Sequence, residues 1–505
     1  MAKGGWALSA VLALLLLLSY AGIEAAGAVA GSSDRAGLGA RLFGHGARAM
    51  GSSARLTRAD GSGTLAPSFF GMNMYLTNPA RSDGEVALLS PMAQAIHIGL
   101  SREQISWATY DTPWGPAFFD ARIGLLAEAG FGIIGILVTT PERYTSPQCR
   151  ACADQQGLPR YFCPPRNPND FAAFAATVVE RYDGDGYQDA PGSPRIDYWE
   201  VWNEPDQPAT WVTCTGHNDP VAYEALLEVT YQAIKQADPS AQVLVGGMTD
   251  GDTVGLDGFM DRVVAAGGWP YFDILSYHPF FLGHPPEAPG LAWNMPHRLQ
   301  MVQDWIAAHG GGKEAWATEF GWSTCTIPGD PRCRTEEQQA NYLVRAYGLL
   351  LLHRFEHGTY FHLKDLAGGA PTPYQECAVI RPDYSTKPSY TAYGVMVSLL
   401  GDMRYVGVGP LHRVQDTWND RYDLRFRRSD GARVDLLWQL QGQNTYAFLV
   451  EPGVEQVYLY DRDGSVQLLT PQDGTVPVTL SERPCYLWRL PTGPAQQFFF
   501  PLIPR

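Results

Sequence analysis

Tyr198-Trp199-Glu200-Val201-Trp202-Asn203-Glu204-Pro205 is an aromatic-rich apolar run that stops at an amide, a carboxylate and a proline. Its alternating aromatic and β-branched positions predict a strand, and Pro205, lacking an N–H, cannot continue a central one. Glu204 therefore stands at a strand's carboxyl end. Glu314-Ala315-Trp316-Ala317-Thr318-Glu319-Phe320-Gly321-Trp322 repeats the plan and delivers Glu319 beside a glycine, 115 positions after Glu204. An isolated glutamate is usually a surface or salt-bridged residue. Two of them at the ends of two strands are the equipment of glycosidic-bond cleavage, one protonating the leaving oxygen and the other attacking or activating water.

Outward from these runs, strand and helix signals alternate. Strands are expected at Phe69–Tyr75, Ile96–Ile105, Gly132–Thr139, Ile196–Asn203, Gln242–Gly246, Phe272–Tyr277, Ala315–Glu319 and Thr359–Leu363, with helical patterns such as Phe171–Tyr182, Val221–Ala237 and Glu336–Arg354 between them. That alternation predicts an α/β fold, a (β/α)8 TIM barrel, whose functional residues come from strand carboxyl ends. From about Met403 the texture changes to short alternating runs at Asp423–Arg427, Val434–Gln439, Tyr446–Val450, Gln456–Tyr460 and Val476–Leu480, punctuated by Asp-Gly pairs. These read as a C-terminal antiparallel β-sandwich. It follows the barrel without a linker, which favours a structural lid over a sugar-binding module, although Trp418, Trp438 and Trp488 could form a sugar platform. The expected organisation is a secretory signal over 1–30, a Gly/Ala/Ser-rich lead-in over 31–62, a barrel over 63–400 and the β-sandwich over 401–505.

On Trp199–Pro205, Ser276-Tyr277-His278-Pro279 and Thr318–Trp322 the chain resembles the clan A glycoside hydrolases, and among them family 39 and the cellulase-like enzymes. The resemblance extends less specifically over roughly 65–400. It implies a retaining glycosidase with Glu204 as acid/base, Glu319 as nucleophile and Asn203 on the sugar 2-hydroxyl. Arg102 resembles the arginine that clan members place beneath the nucleophile. Where many members read His-x-Tyr, this chain has His278-Pro279-Phe280, so the tyrosine hydroxyl that touches the nucleophile is missing or comes from elsewhere, with Tyr277 the candidate.

His278 falls at a strand end, where it could hold the nucleophile's carboxylate or a sugar hydroxyl. Trp199 and Trp202 are candidates for an apolar wall that keeps Glu204 protonated. Trp107, Tyr110, Trp114, Trp211 and Trp322 lie near expected loops on the catalytic face, where rings can stack on sugars, and Trp322 is the first choice because it follows Glu319 so closely.

The net charge of −15, with five lysines in 505 residues, argues against nucleic acid or an anionic membrane and fits a neutral or weakly charged glycan as partner. Lys3, an apolar run from Trp6 to Ser19 and small residues after it read as a signal for export, and the run is short for a membrane span. An exported chain favours pairing its eight cysteines. Cys325–Cys333 is the first pair expected, and Cys149, Cys152, Cys163 and Cys214, after the third and fourth strands, suit two more.

Cys149-x-x-Cys152 could be half a zinc site, but no second half exists, and His278 and His284 have no metalloprotease spacing, so no metal and no cofactor are expected. The alternative to an enzyme is a carbohydrate-binding pseudoenzyme on the same barrel, which the presence of both carboxylates disfavours.

Overall fold

The computed structural model describes residues 69–490 apart from 250–255, 366–375, 429–430, 453 and 455; the signal and lead-in expected over 1–62 lie outside the described residues. Eight parallel strands close into a barrel: β1 Phe70–Asn73, β2 Leu100–Ser106, β3 Gly132–Val138, β4 Tyr198–Val201, β5 Gln242–Val245, β6 Ile274–Tyr277, β7 Glu314–Phe320 and β8 His357–Phe361. β8 returns to β1 in register, with Phe70 beside Gly358 and Asn73 beside Phe361. Each strand leads into a helix, and the helix starts are written in the sequence. Pro168, Pro220 and Pro388 open three helices, and Thr335 and Gln338 form a reciprocal capping box.

The expected barrel strands are all present, with ends shifted by a few residues. Ile196–Asn203 contracts to Tyr198–Val201 because Trp202 adopts φ +72°, which ends the extended run. Side chains alternate in and out along each strand. Leu100, Ile134, Leu244, Ile274 and Trp316, with Tyr198, fill the barrel's lower interior. Two residues further along their strands come Arg102, Glu200, Ser276 and Thr318, a buried polar layer above the apolar plug. Trp199 and Val201, on the opposite face of β4, join the outer core.

The C-terminal part is an antiparallel sandwich, as expected. Its larger sheet has the order β14-β13-β16-β11-β10-β9, formed by β9 Arg404–Val408, β10 Arg421–Arg427, β11 Arg433–Gln439, β13 Val457–Asp461, β14 Val466–Leu469 and β16 Cys485–Arg489. β12 Asn444–Leu449 pairs with β15 Thr475–Leu480 in the smaller one. Leu437, Phe448, Val476, Val478 and Leu487 pack between the sheets. The sequence patterns missed β9, β14 and the central β16, whose five residues are all buried and so show no in–out alternation. Trp438 and Trp488 are buried rather than forming a platform, and of the three tryptophans considered only Trp418 is exposed.

The sandwich sits on the helix Glu336–Leu352. A Cβ on Gly348 would meet Trp438 at 3.0 Å, and Arg345 of the same helix pairs with the buried Glu287, which also accepts from Trp438 Nε1 at 2.8 Å. One hydrophobic core therefore runs from the barrel's helices into the sheet. Cys325–Cys333 is bridged as expected, and the four cysteines after β3 and β4 form two bridges whose pairing the sequence left open, Cys149–Cys163 and Cys152–Cys214. Cys377 and Cys485 correct the expectation of full pairing, because both are buried outside any disulfide. Among the described residues no helix is long and apolar enough to cross a membrane.

Candidate active site

Past Val201 the chain leaves β4 through two non-glycine residues with positive φ, Trp202 at +72° and Glu204 at +49°. Such conformations cost about 1–3 kcal/mol each and persist only where neighbours enforce them. Here Trp202 N donates to Leu137 O at 2.8 Å, Trp202 Nε1 to Thr210 O at 2.6 Å, and Thr210 Oγ1 and Gln207 N both donate to Glu204 O. The Cys152–Cys214 bridge ties the far end of this loop to the segment after β3. Glu204 ends fully buried, with Oε1 2.8 Å from His278 Nδ1 and Oε2 without a hydrogen-bond partner.

Glu319 reaches the same space by a different device. In strict alternation it would face away from the interior that Thr318 faces. The register between β7 and β8 shifts between Ala317 and Phe320, and this irregularity brings Glu319 to the barrel mouth. Its Oε1 accepts from Arg102 Nη1 at 2.5 Å and from the Tyr75 hydroxyl at 3.2 Å. Carboxylate oxygens of Glu204 and Glu319 and a ring nitrogen of His278 all lie within 4.8 Å of one another.

The two carboxyls have different surroundings. Burial pushes Glu204 well above the usual carboxylate range, the negative charges of Glu319 and Asp206 add to the rise, and Arg102 opposes it. Burial also raises Glu319, but there the Arg102 charge and hydrogen bond and the Tyr75 hydroxyl pull back. In the pair, the proton belongs on Glu204. Burial, with the Arg102 charge, holds His278 well below the ordinary histidine range, so its ring is neutral. Asp206, buried beside Thr249, is pushed up to about 6 by desolvation.

Asn203 and Arg102 converge on this pair. Asn203 Oδ1 accepts from Arg102 Nη2 at 2.8 Å, which leaves the amide NH2 as the group offered to a ligand hydroxyl. Arg102 is the third residue of β2 rather than near its end, so it lies beneath the carboxylates and reaches up to them.

Several expectations are corrected. The hydroxyl on Glu319 comes from Tyr75, beyond the end of β1, whereas Tyr277 closes β6 within the hydrophobic core. His278 holds Glu204 and Thr318, not the Glu319 carboxylate. Trp322 is fully buried, donating to His284 O and packed edge-on against Tyr342, and Trp211 is buried between Trp202 and Tyr223. Neither presents a face for stacking. Trp107 is likewise core, stacked on Tyr144 and Phe174, while Trp114 is exposed. Trp199 lies on the outer face of β4, so it is not a wall for Glu204.

Sequence reasoning missed Glu200, Asn73 and Tyr75. Glu200 had a signal, a glutamate inside an apolar strand, which only a buried partner can stabilise. Glu204, His278 and Glu319 have the donor types of a metal site, but the Arg102 guanidinium already supplies the cation against Glu319.

No family model matches the sequence, and no curated protein matches it. Solved structures do. A family 39 glycoside hydrolase from the gut symbiont Bacteroides cellulosilyticus WH2 is similar at 21% identity, with a TM-score of 0.62 over 84% of this chain and 81% of that one. A β-xylosidase from Caulobacter crescentus CB15 is similar at 17% identity and TM-score 0.58, over 85% and 98% of the two chains. A glucosidase from Croceicoccus marinus gives 15% and 0.58, over 85% and 97%. The (β/α)8 fold implied by the resemblance to clan A glycoside hydrolases is thus the fold this chain has, shared with solved glycosidases at low identity.

Proposed function

We propose that the protein is a retaining glycoside hydrolase acting on a poly- or oligosaccharide. The observation that carries this reading is one pair of buried carboxyls, from the ends of β4 and β7, with oxygens within 4.8 Å and one of the two paired to an arginine. Retaining enzymes hold their carboxyls about 5–5.5 Å apart, whereas inverting ones leave about 6.5–9.5 Å for a water. The glycosidases that share the fold add support.

In the first step Glu319 attacks the anomeric carbon as Glu204 gives its proton to the glycosidic oxygen; the C–O bond breaks, the leaving group departs and a glycosyl ester forms. With Glu319 esterified its charge is gone, and the ionised Glu204 takes a proton from water, whose oxygen attacks the anomeric carbon and releases Glu319. The Asn203 amide is assigned to the sugar 2-hydroxyl, and Arg102 and Tyr75 hold the nucleophile. The catalytic unit is residues 63–400, and residues 401–505 act as a lid on the helix Glu336–Leu352. Export, with residues 1–30 as its signal, is supported by the three disulfides.

Glu319→Ala should lower turnover on the order of 10⁴-fold or more, and azide should restore a product of inverted configuration. Early-time NMR of the native enzyme should show net retention. A first-formed product of the opposite anomer, or near-normal rates in Glu319→Ala, overturns the assignment.

A further inference from the structure

Resting on that reading, we propose that Glu200 is the positioning residue that keeps the two reacting carboxyls in opposite protonation states, through two hydrogen-bond arms that meet on its buried carboxylate.

The first arm is Arg102, whose five N–H donors are all engaged. Nε donates to Glu200 Oε2 at 2.6 Å and Nη2 to Glu200 Oε1 at 3.1 Å, a bidentate grip that fixes the plane of the guanidinium. The remaining donors are thereby aimed: Nη1 at Glu319 Oε1 and Asn73 Oδ1, and Nη2 also at Asn203 Oδ1. Glu200's own charge raises the Glu319 carboxyl, but the guanidinium that it aims at Glu319 Oε1 favours the ionised form, and it is through Arg102 that Glu200 acts on the nucleophile.

The second arm runs through hydroxyls, and its direction follows from counting hydrogens. Ser276 Oγ donates to Glu200 Oε1 at 3.0 Å, since a carboxylate only accepts. Ser276 has no second hydrogen, so in its short contact with Thr318 Oγ1 the donor is Thr318. Thr318 has then used its own hydrogen, and in the 3.1 Å contact with His278 Nε2 the ring is the donor. A neutral imidazole protonated on Nε2 offers a lone pair on Nδ1. Glu204 Oε1, 2.8 Å away, must bring the proton to that bond. The chain from Glu200 therefore specifies the histidine tautomer that holds a proton on Glu204.

Gly247 completes the arrangement, donating its N–H to Glu200 Oε1 at 2.8 Å while its missing Cβ leaves room for the His278 ring. The charged and titratable groups facing the pair are Arg102 from β2, Glu200 from β4, Asp206 from the loop after β4, His278 beyond β6 and Tyr75 beyond β1.

The test is 15N-histidine NMR of the full chain, with the His278 signals assigned by their loss in a His278→Asn protein. The native ring should carry its hydrogen on Nε2. In Ser276→Ala the Thr318 hydroxyl is released to donate to Nε2, so the hydrogen should move to Nδ1. An Nδ1-protonated ring in the native protein, or an unchanged ring in Ser276→Ala, overturns the proposal.

The pH dependence of kcat/KM gives a second readout. Ser276→Ala should lower the basic limb by about one pH unit, because Nδ1–H then favours the Glu204 carboxylate. Glu200→Gln should keep its oxygen towards the three donors on the Oε1 side and turn its NH2 onto Arg102 Nε, displacing the guanidinium. The acid limb should then rise by about one unit. Loss of Glu200's charge alone would lower that limb instead. A falling or unmoved acid limb, including a uniform loss of rate, sinks the positioning role. The NMR readout needs no turnover. An unexpected tautomer in an enzyme that depends on Glu319 therefore removes this inference alone, whereas turnover surviving Glu319→Ala removes the glycosidase reading.

Discussion

At the scale of single residues, the candidate site is one shared proton and one arginine charge. Under the proposed mechanism Glu204 is protonated and Glu319 ionised, so kcat/KM should rise as pH passes upward through the Glu319 pKa and fall as it passes through that of Glu204. Burial raises both, Glu204 the further, which shifts the active window upward from the range of exposed carboxylates. A profile measured on an unactivated glycoside checks this, and a maximum near pH 4 would contradict it. Glu204→Ala should cost about 10²–10⁴-fold on natural linkages and far less on dinitrophenyl glycosides, whose leaving group needs no proton. Equal losses on both substrates would speak against the acid role. The expected stacking platforms show how a residue's direction escapes the sequence. Trp322 and Trp211 sit close in sequence to Glu319 and Glu204 yet face into packing, because closeness along the chain says nothing about which way a ring points.

At the scale of elements, strand ends and glycines set the geometry. A Cβ added to Gly247 would stand 1.9 Å from His278 Nε2, so the ring must move and its bond to Glu204 must lengthen or break. Gly247→Ala should therefore lower kcat/KM by about 100-fold, the typical penalty for misplacing a reacting group by about an ångström. The measurement is steady-state kinetics beside a thermal melt, and an unchanged kcat/KM would show that His278 does not position Glu204. The loop after β4 owes its course to the Thr210 and Gln207 bonds to Glu204 O and to the Cys152–Cys214 bridge, none of which a strand pattern announces.

At the scale of the whole molecule, barrel and sandwich share one core, and the Glu287–Arg345 pair with Trp438 is one polar link between them, beside the buried Arg462, which holds Glu337 and Asn341. Arg345→Ala leaves the buried Glu287 carboxyl with, among the described residues, Trp438 Nε1 as its remaining side-chain donor. Removing one partner of such a pair typically costs about 3–5 kcal/mol. The melting temperature should fall accordingly, and a change of less than about 1 kcal/mol in chemical denaturation would refute the anchoring role. This docking agrees with the expected lid better than with a free sugar-binding module, since Trp438 and Trp488 are part of the shared core.

The sequence by itself determined the alternation of strands and helices, the change to antiparallel β near Met403, the carboxyl-end placement of Glu204 and Glu319, and the Cys325–Cys333 pair. Periodicity, proline and turn chemistry are local, and they survive folding. Only the tertiary structure decided which hydroxyl meets Glu319, which carboxyl His278 holds, and that Glu200 lies beneath both. Tyr75, Arg102, Glu200, Ser276, Thr318 and His278 come from five barrel strands and their ends, and closure of the barrel is what brings them within hydrogen-bond reach. Glu319 itself reaches the mouth through a register shift, a departure from the in–out alternation by which a sequence assigns faces.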